Sequence, residues 1–378
     1  MRVLIAPDSF KGSLTSVEVA RALANGWHRA RPDDEIQLCP LADGGEGTLA
    51  AIEAAGGWEW QTAEVTDPIA RQIQARWLRS ADGKRAVIEM AETSGLSRVT
   101  PAERDAVRAT SAGLGDLLDH VAKSGITEVT LGIGGSATTD AGFGMLDALG
   151  MEFEPWVEGP RGVPTSLDGV WLYELGLYAH LDRVALQVAC DVANPLLGPT
   201  GAAAVYGPQK GATPEQVGVL DQRIAHFADL LERAAERQER DTPGAGAAGG
   251  VGFALLAIQD SFRSFALRPG VDLVMDATDF DARLERADLV ITGEGRIDAQ
   301  TAFGKTALGV AKRAQAAGVP CIAVGGGVEP DGIAALAAVG AVAVPVVETP
   351  QTVDEAMAAG VGPLERVGER LARLISLG

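Results

Sequence analysis

Lysine is scarce in this sequence: there are six, at positions 11, 84, 123, 210, 305 and 312. With arginine they make 32 basic residues against 51 acidic ones, a net charge of −19. No basic run offsets that deficit, which excludes nucleic acid and anionic membrane surfaces as partners. Cysteine is scarcer still. Cys39, Cys190 and Cys321 are far apart, so neither a disulfide framework nor a zinc spacing is present, and the odd count fits a reducing cytoplasm. The four histidines, His28, His120, His180 and His226, fall in expected helices with no second histidine at metal-ligand spacing. A G-x-S-x-G elbow is missing, which leaves nucleophilic hydrolysis without support. No apolar run approaches about 18 residues, and the one before Pro7 is too short for a secretory leader, so no membrane association is expected.

Glycine, by contrast, is abundant. The chain has 47 glycines, where average usage would give roughly 26, and they cluster in short runs that mark turns and close backbone approach. Its 378 residues, at roughly 100–200 per domain, imply two domains or three small ones. The hydrophobic content of 47% is enough for a large core.

Strand-like and helical patterns alternate at both ends of the chain. RVLIA is followed by a polar turn, an amphipathic helix over 17–30, a second strand over 35–40 and a helix over 46–55. The last hundred residues continue with DLVIT, a glycine-rich loop, a helix over 302–317, VPCIAV, a helix over 331–338, AVAVPVV and a final helix over 353–376. Such alternation predicts an α/β fold with a mainly parallel, doubly wound sheet. The middle differs: residues 58–91 alternate with period two around a turn at Asp82-Gly83, which predicts antiparallel strands in a mixed sheet. We therefore expect one α/β domain from both termini, 1–62 plus 287–378, and an inserted α/β domain over 63–286, with a purely sequential split as the alternative. The run TPGAGAAGGVG at 242–252 reads as a helix start facing a ligand, or otherwise as a linker.

Ligands in open α/β sheets bind at the carboxyl ends of strands, so the loops there are the candidate site. In Asp8-Ser9-Phe10-Lys11-Gly12-Ser13, Lys11 can meet a phosphate or carboxylate and Ser9 can donate a hydrogen bond. In Ala42-Asp43-Gly44-Gly45-Glu46, Asp43 is an acceptor for magnesium or a substrate hydroxyl. The run from Gly132 to Gly142, with Gly134, Gly135, Ser136, Thr138 and Asp140, has the make-up of a phosphate cradle. Asp191, at the end of VALQVA, is a candidate general base, accompanied by Asn194 and Lys210. Glu294 and Asp298 lie in the loop after DLVIT. Ser94 and Arg108 can join these groups, the arginine as a carboxylate clasp, although helix capping explains that neighbourhood equally well. Ala299 to Thr306 matches a relaxed Walker A pattern, but the strand DLVIT ends at Thr292, 12 residues before Gly304, so Lys305 reads instead as a phosphate-facing residue at a helix start. Glycine loops, sparse loop lysines and loop aspartates together supply what phosphoryl transfer needs: positioning, cations, magnesium sites and a proton acceptor. The expected activity is that of an ATP-dependent small-molecule kinase.

The runs PDSFKGS, LADGGEGT, AETSGL, ATSAGLG, GIGGSATTDAGFGML, CDVANPLLGPTGAA, YGPQKGA, GAAGGVGFAL and ITGEGRIDAQTAFGKT, in order over nearly the whole chain, resemble the type I bacterial glycerate kinases. The resemblance implies two α/β domains, one of them flavodoxin-like, an active site in the cleft between them, and transfer of the ATP γ-phosphate to the 2-hydroxyl of D-glycerate. On that basis Lys11 and Asp191 are catalytic candidates, with Asp43 as the runner-up base, and Ser9, Arg108, Ser94 and Asn194 are expected at glycerate. Gly134, Gly135, Ser136, Thr138, Asp140, Lys210 and Lys305 are expected at the nucleotide, and Asp43, Glu294 or Asp298 at Mg2+. The expected partners are small molecules only, for a cytoplasmic monomer or homodimer. The alternatives are a kinase for another small hydroxy or sugar acid and a non-catalytic nucleotide or organic-acid binding protein.

Overall fold

A computed structural model describes residues 1–154, 162, 169–171, 180–299, 301 and 306–377. In chain order its strands are β1 (Arg2–Ile5), β2 (Glu35–Leu38), β3 (Trp58–Thr66), β4 (Gln72–Ser80), β5 (Arg85–Glu89), β6 (Glu128–Gly132), β7 (Glu152–Glu154), β8 (Gly169–Trp171), β9 (Ala185–Ala189), β10 (Ser264–Arg268), β11 (Leu289–Ile297), β12 (Cys321–Val328) and β13 (Ala341–Pro345). The chain forms two compact units. One comprises Met1–Asp43, Ala50–Gly57 and Val271–Gly378, the other Gly44–Leu49 and Trp58–Gly270.

The first unit carries a wholly parallel sheet in the order β13-β12-β11-β1-β2. Val3, Leu4 and Ile5 of β1 are all buried, as a strand covered on both faces requires. Renumbered within the unit, the order is the flavodoxin-like 2-1-3-4-5, in which connections leave β1 and β11 in opposite directions and open a crevice at the ends of those two strands. The helix Ser16–Ala30 starts at a capping box between Thr15 and Glu18 and buries Val19, Leu23 and Trp27. Its neighbour is the C-terminal helix Gly362–Ile375.

Four expectations change here. The strand expected to end at Thr292 runs on to Ile297, pairing Glu294 with Gly325 and Arg296 with Gly327. Glycine permits this extension, because a side chain at Gly326 would place its Cβ 2.5 Å from the Gly295 carbonyl oxygen. The spacing objection to a Walker loop therefore falls, although its Lys305 and the expected helix start at 302 lie outside the described residues. The final helix, expected unbroken over 353–376, is two helices, Val353–Ala358 and Gly362–Ile375, separated at Gly360, whose φ is +62°. Residues 271–286 belong to the first unit, since the helix Gly270–Ala277 meets the helix Thr306–Ala317 through Val271 against Gly309 and an Asp272–Arg313 ion pair.

The second unit has a six-stranded sheet, β10-β9-β6-β5-β4-β3, parallel from β10 to β5 and antiparallel from β5 to β3. The β4–β5 turn is at Asp82-Gly83, where Gly83 has φ +72°. β7 and β8 form a separate antiparallel pair. Phe143, Phe153 and Phe227 stack within this unit's core. The glycine run at 244–250 leads into the helix Val251–Ala257, every residue of which is buried. Gly249 packs on Thr138 and accepts a hydrogen bond from the Ala141 N–H, so the run braces a neighbouring loop and serves neither as a linker nor as an exposed helix start. No described helix is long and apolar enough to cross a membrane.

Candidate functional site

The crevice at the ends of β1 and β11 is a cavity of about 930 Å³ whose lining lies wholly in the first unit. Its polar lining includes Asp8, Ser9, Lys11, Asp43, Glu294, Asp298 and Thr306. Five of these, Ser9, Lys11, Asp43, Glu294 and Asp298, are sequence candidates, so loops far apart in the chain are brought to one place.

Asp8 is the main residue that the sequence reading passed over. Its backbone N–H donates to the Gly293 carbonyl, which ties the loop after β1 to β11. Its carboxylate accepts from the Ser9 N–H at 2.6 Å and from the Thr306 hydroxyl at 2.5 Å. Burial raises its pKa to about 6; the charge of Asp43 pushes the same way, while the bonds from Thr306 and Ser9 oppose the rise. A carboxylate poised near neutrality in a cleft is a functional-site signature. Its only sequence signal was its position directly after the apolar run of β1.

Glu294 is buried and accepts a hydrogen bond from the Thr301 hydroxyl at 2.7 Å. Arg296, also missed, lines the cavity between Asp298, at 3.3 Å, and Glu329. Lys11 and Asp43 are exposed. Lys305 lies outside the described residues. Among those described, no group of three His, Cys, Asp or Glu side chains forms a ready-made metal site.

A second cluster lies within the second unit, at the ends of β5, β6 and β9. Gly44 and Gly45 press on Gly132 and Gly134: a Cβ at Gly132 would stand 2.5 Å from the Gly44 carbonyl oxygen. Glu89 closes β5 and accepts the Leu49 N–H at 2.6 Å. Burial raises the Glu89 carboxyl to about 7, with Glu92 and Glu46 pushing the same way.

Around the 132–142 loop the expected ligand groups turn inward. Asp140 is fully buried and accepts from the Ser111 N–H and hydroxyl, both at 2.8 Å, and from the N–H groups of Gly142 and Gly144. Burial raises its pKa. Lys210, expected at a phosphate, is 1% exposed. Its ammonium donates to Ser136 Oγ at 2.8 Å and to the Thr138 carbonyl at 2.6 Å, and burial lowers its pKa to about 7. Both residues hold the loop from behind. Ser94 is buried in the same neighbourhood: its carbonyl accepts the Ala137 N–H, and the flanking Gly95 bridges to Ser136. The hydroxyls of Ser94, Thr138 and Thr139 are buried with no hydrogen-bond partner among the described residues. Gly135 takes φ +72° at the loop's corner.

Asp191 is exposed at the end of β9 and accepts the Gly270 N–H at 3.0 Å. Asn194, expected at substrate, is engaged at both ends of its amide, donating to the Thr200 carbonyl and accepting from the Tyr206 hydroxyl. It shapes its own loop. Arg108 is exposed in the turn held by Asp105 and is not part of the first unit's cavity.

Comparison with known proteins gives a consistent result. The profile of the glycerate kinase family matches residues 3–376. A glycerate kinase from Halalkalibacterium halodurans is 42% identical over 377 residues, covering 98% of this chain and 97% of its own. A protein of Escherichia coli K12 named glycerate 2-kinase is 39% identical over 385 residues, covering 100% and 99%. A crystal structure from Salmonella typhimurium LT2, assigned provisionally as glycerate kinase 2, superposes with a TM-score of 0.85 at 40% identity, covering 100% of this chain and 99% of that one.

Proposed function

The chain belongs to the glycerate kinase family, and on that premise we propose that it transfers the γ-phosphoryl group of ATP to the 2-hydroxyl of D-glycerate, yielding 2-phosphoglycerate and ADP. The observation that carries this reading is the end-to-end match to a protein named glycerate 2-kinase. The cavity supports it: two cations, hydroxyls and five carboxylates line one space at the switch point of a parallel sheet.

In the reaction the glycerate hydroxyl oxygen bonds to the γ-phosphorus. The bond from that phosphorus to the bridging oxygen breaks with its electron pair left on ADP, and the hydroxyl proton passes to a carboxylate. We assign the transferring phosphoryl group to Lys11, a compact cation on a cavity loop. Asp191, exposed and oriented by the Gly270 N–H, is the proposed proton acceptor, with Asp43 as the alternative. Asp43, Glu294 and Asp298 offer the hard oxygen donors that suit magnesium, which keeps several waters and takes one or two carboxylates besides phosphate oxygens. Bound with the nucleotide, magnesium neutralises charge on the phosphates. Asp140 and Lys210 are assigned to holding the 132–142 loop, whose Gly134, Gly135 and Ser136 remain the proposed phosphate-facing segment.

We take the two compact units as two domains of a cytoplasmic enzyme that acts on small molecules as a monomer or homodimer. The deciding assay is ADP release from ATP with and without D-glycerate and magnesium, with phosphorus NMR of the product. Glycerate-dependent ADP and a 2-phosphoglycerate signal are expected. ATP binding without turnover marks a non-catalytic binder, and turnover with a longer sugar acid alone marks a different kinase. Asp191→Asn should lower kcat at least 100-fold; if Asp43→Asn does so instead and Asp191→Asn does not, the proton acceptor is Asp43.

A further inference from the structure

Glycerate carries one fixed charge, its carboxylate. Of the polar groups expected beside it, Arg108 is exposed in the second unit and the Asn194 amide is engaged at both ends. Among the described residues that line the first unit's cavity, the cations are Lys11 and Arg296. Lys11 is assigned to the transferring phosphoryl group, so a carboxylate in this cavity falls to Arg296. The extension of β11 fixes where that residue stands. It pairs with Gly327 of β12, and its stem passes beside that bare residue, where a Cβ would meet only Arg296 Cγ, at 4.0 Å. The preceding residue, Gly295, is packed by Phe10 and the Lys11 backbone on the opposite face of the strand. The cavity therefore wraps the strand ends, with the loop of Asp8 and Lys11 on one side and Arg296 on the other.

Two carboxylates hold the guanidinium along one edge. Nε donates to Glu329 Oε1 at 3.1 Å and stands 3.3 Å from Asp298 Oδ2, and Nη2 donates to the same Glu329 oxygen. These contacts use the Nε–Nη2 edge; the N–H groups of the Nη1–Nη2 edge, which can clasp a carboxylate end-on, donate to no described residue. The side chain is 66% exposed, so that edge is accessible. An arginine already held by its partners gives up little conformational freedom on binding. The flanking carboxylates also select the anion. A polyphosphate would set several negative charges against Asp298 and Glu329, whereas a carboxylate brings one charge and gains chiefly from two parallel N–H···O bonds.

We infer that Arg296 binds the substrate carboxylate: its Nη1–Nη2 edge clasps the two carboxylate oxygens of glycerate, while Glu329 and Asp298 hold the guanidinium in position. The inference rests on the kinase reading above and adds to it how the acid is told from an uncharged polyol.

The test uses the full chain with Arg296→Gln, which keeps most of the stem and removes the charge, and with Arg296→Lys, which keeps a charge and removes the planar fork. For each, kcat and KM for D-glycerate are measured, together with the Kd for Mg·ATP by calorimetry. The carboxylate takes no part in bond making, so its contact is the same before and during phosphoryl transfer, and losing it raises KM with kcat unchanged. Glycerate KM should rise about tenfold or more in Arg296→Gln and about threefold or more in Arg296→Lys, while kcat and the ATP Kd stay within about twofold of wild type. An unchanged glycerate KM in both variants marks a surface ion pair only, and a loss of ATP affinity as large as that for glycerate marks a phosphate-facing cation; either overturns the assignment. A wild-type chain that forms no glycerate-dependent ADP refutes the kinase reading itself, a result distinct from both.

Discussion

Replacing Asp8 by asparagine asks whether the cavity holds a carboxylate at the expense of the fold. Asparagine has nearly the same shape, and its amide can accept the Ser9 N–H and donate to the Thr306 hydroxyl, so both hydrogen bonds of the native side chain have a counterpart. What changes is the charge. Burial raises the Asp8 carboxyl from its ordinary 3.8 to about 6, so between those values the folded chain keeps a proton that the unfolded chain has released. Stability contributed by this group therefore falls as pH rises from about 4 to about 6 and stays low above that window. At 1.36 kcal/mol per pH unit the full penalty is about 3 kcal/mol, and because Asp8 keeps some contact with water we expect about 1–3 kcal/mol. Asp8→Asn should consequently melt a few degrees above wild type at pH 8 and together with it at pH 4, at about 2–4 °C per kcal/mol. Turnover of the same variant should drop at least 100-fold, since the residue lines the cavity that the kinase reading requires. Scanning calorimetry at the two pH values, with kcat at pH 8, tests both halves. A variant no more stable than wild type at pH 8, or equally stabilised at both pH values, refutes the claim that burial strains this carboxylate.

Lys11→Ala should lower kcat/KM by about 100-fold or more and leave the melting temperature unchanged, because Lys11 is exposed and makes no ion pair with a described residue; a loss confined to stability would remove it from the site. Lys210 behaves in the opposite sense. Its folded pKa of about 7 lies below the ordinary 10.5, so the unfolded chain holds the extra proton between those values, and stability from this group rises with pH across that window. The difference in melting temperature between wild type and Lys210→Met should therefore shift in favour of wild type from pH 7 to pH 10; parallel curves would mean that the ammonium is not desolvated. Gly26→Ala should destabilise the first unit by about 3 kcal/mol, since the new Cβ would fall 1.8 Å from the Glu365 carbonyl oxygen and push the helices Ser16–Ala30 and Gly362–Ile375 apart. Denaturant melts measure this, and a change under about 0.5 kcal/mol would show that the helix pair has room to spare.

The parallel architecture was legible because its signals are local. β1 is a short apolar run buried on both faces, and the helix after it carries a capping box and an apolar stripe within a few residues of one another. The extension of β11 to Ile297 was not, because glycine in G-E-G-R reads as a loop unless the partner strand is known. β12 supplies Gly325, Gly326 and Gly327 opposite, and two glycine-bearing strands can continue side by side where either one alone suggests a turn. The break before the last helix was missed for a related reason: Gly360 lies inside an otherwise regular helical pattern, and its positive φ is a property of the backbone that the pattern does not carry.

The lysines separate in the same way. Lys11 and Lys210 both sit in loops and directly precede glycine, and each looks equally suited to meet a phosphate. The first is exposed on a cavity loop; the second is sealed inside the other unit by Ser136 and Thr138, residues distant in the chain. A neighbouring glycine therefore signals a tight turn, and whether the lysine in that turn faces a ligand is decided by the acceptors that tertiary structure brings to it. Lys210 has two such acceptors in the protein itself. Lys11 lines the same cavity of about 930 Å³ as Asp8, and on the kinase reading proposed above we therefore assign the phosphate to Lys11.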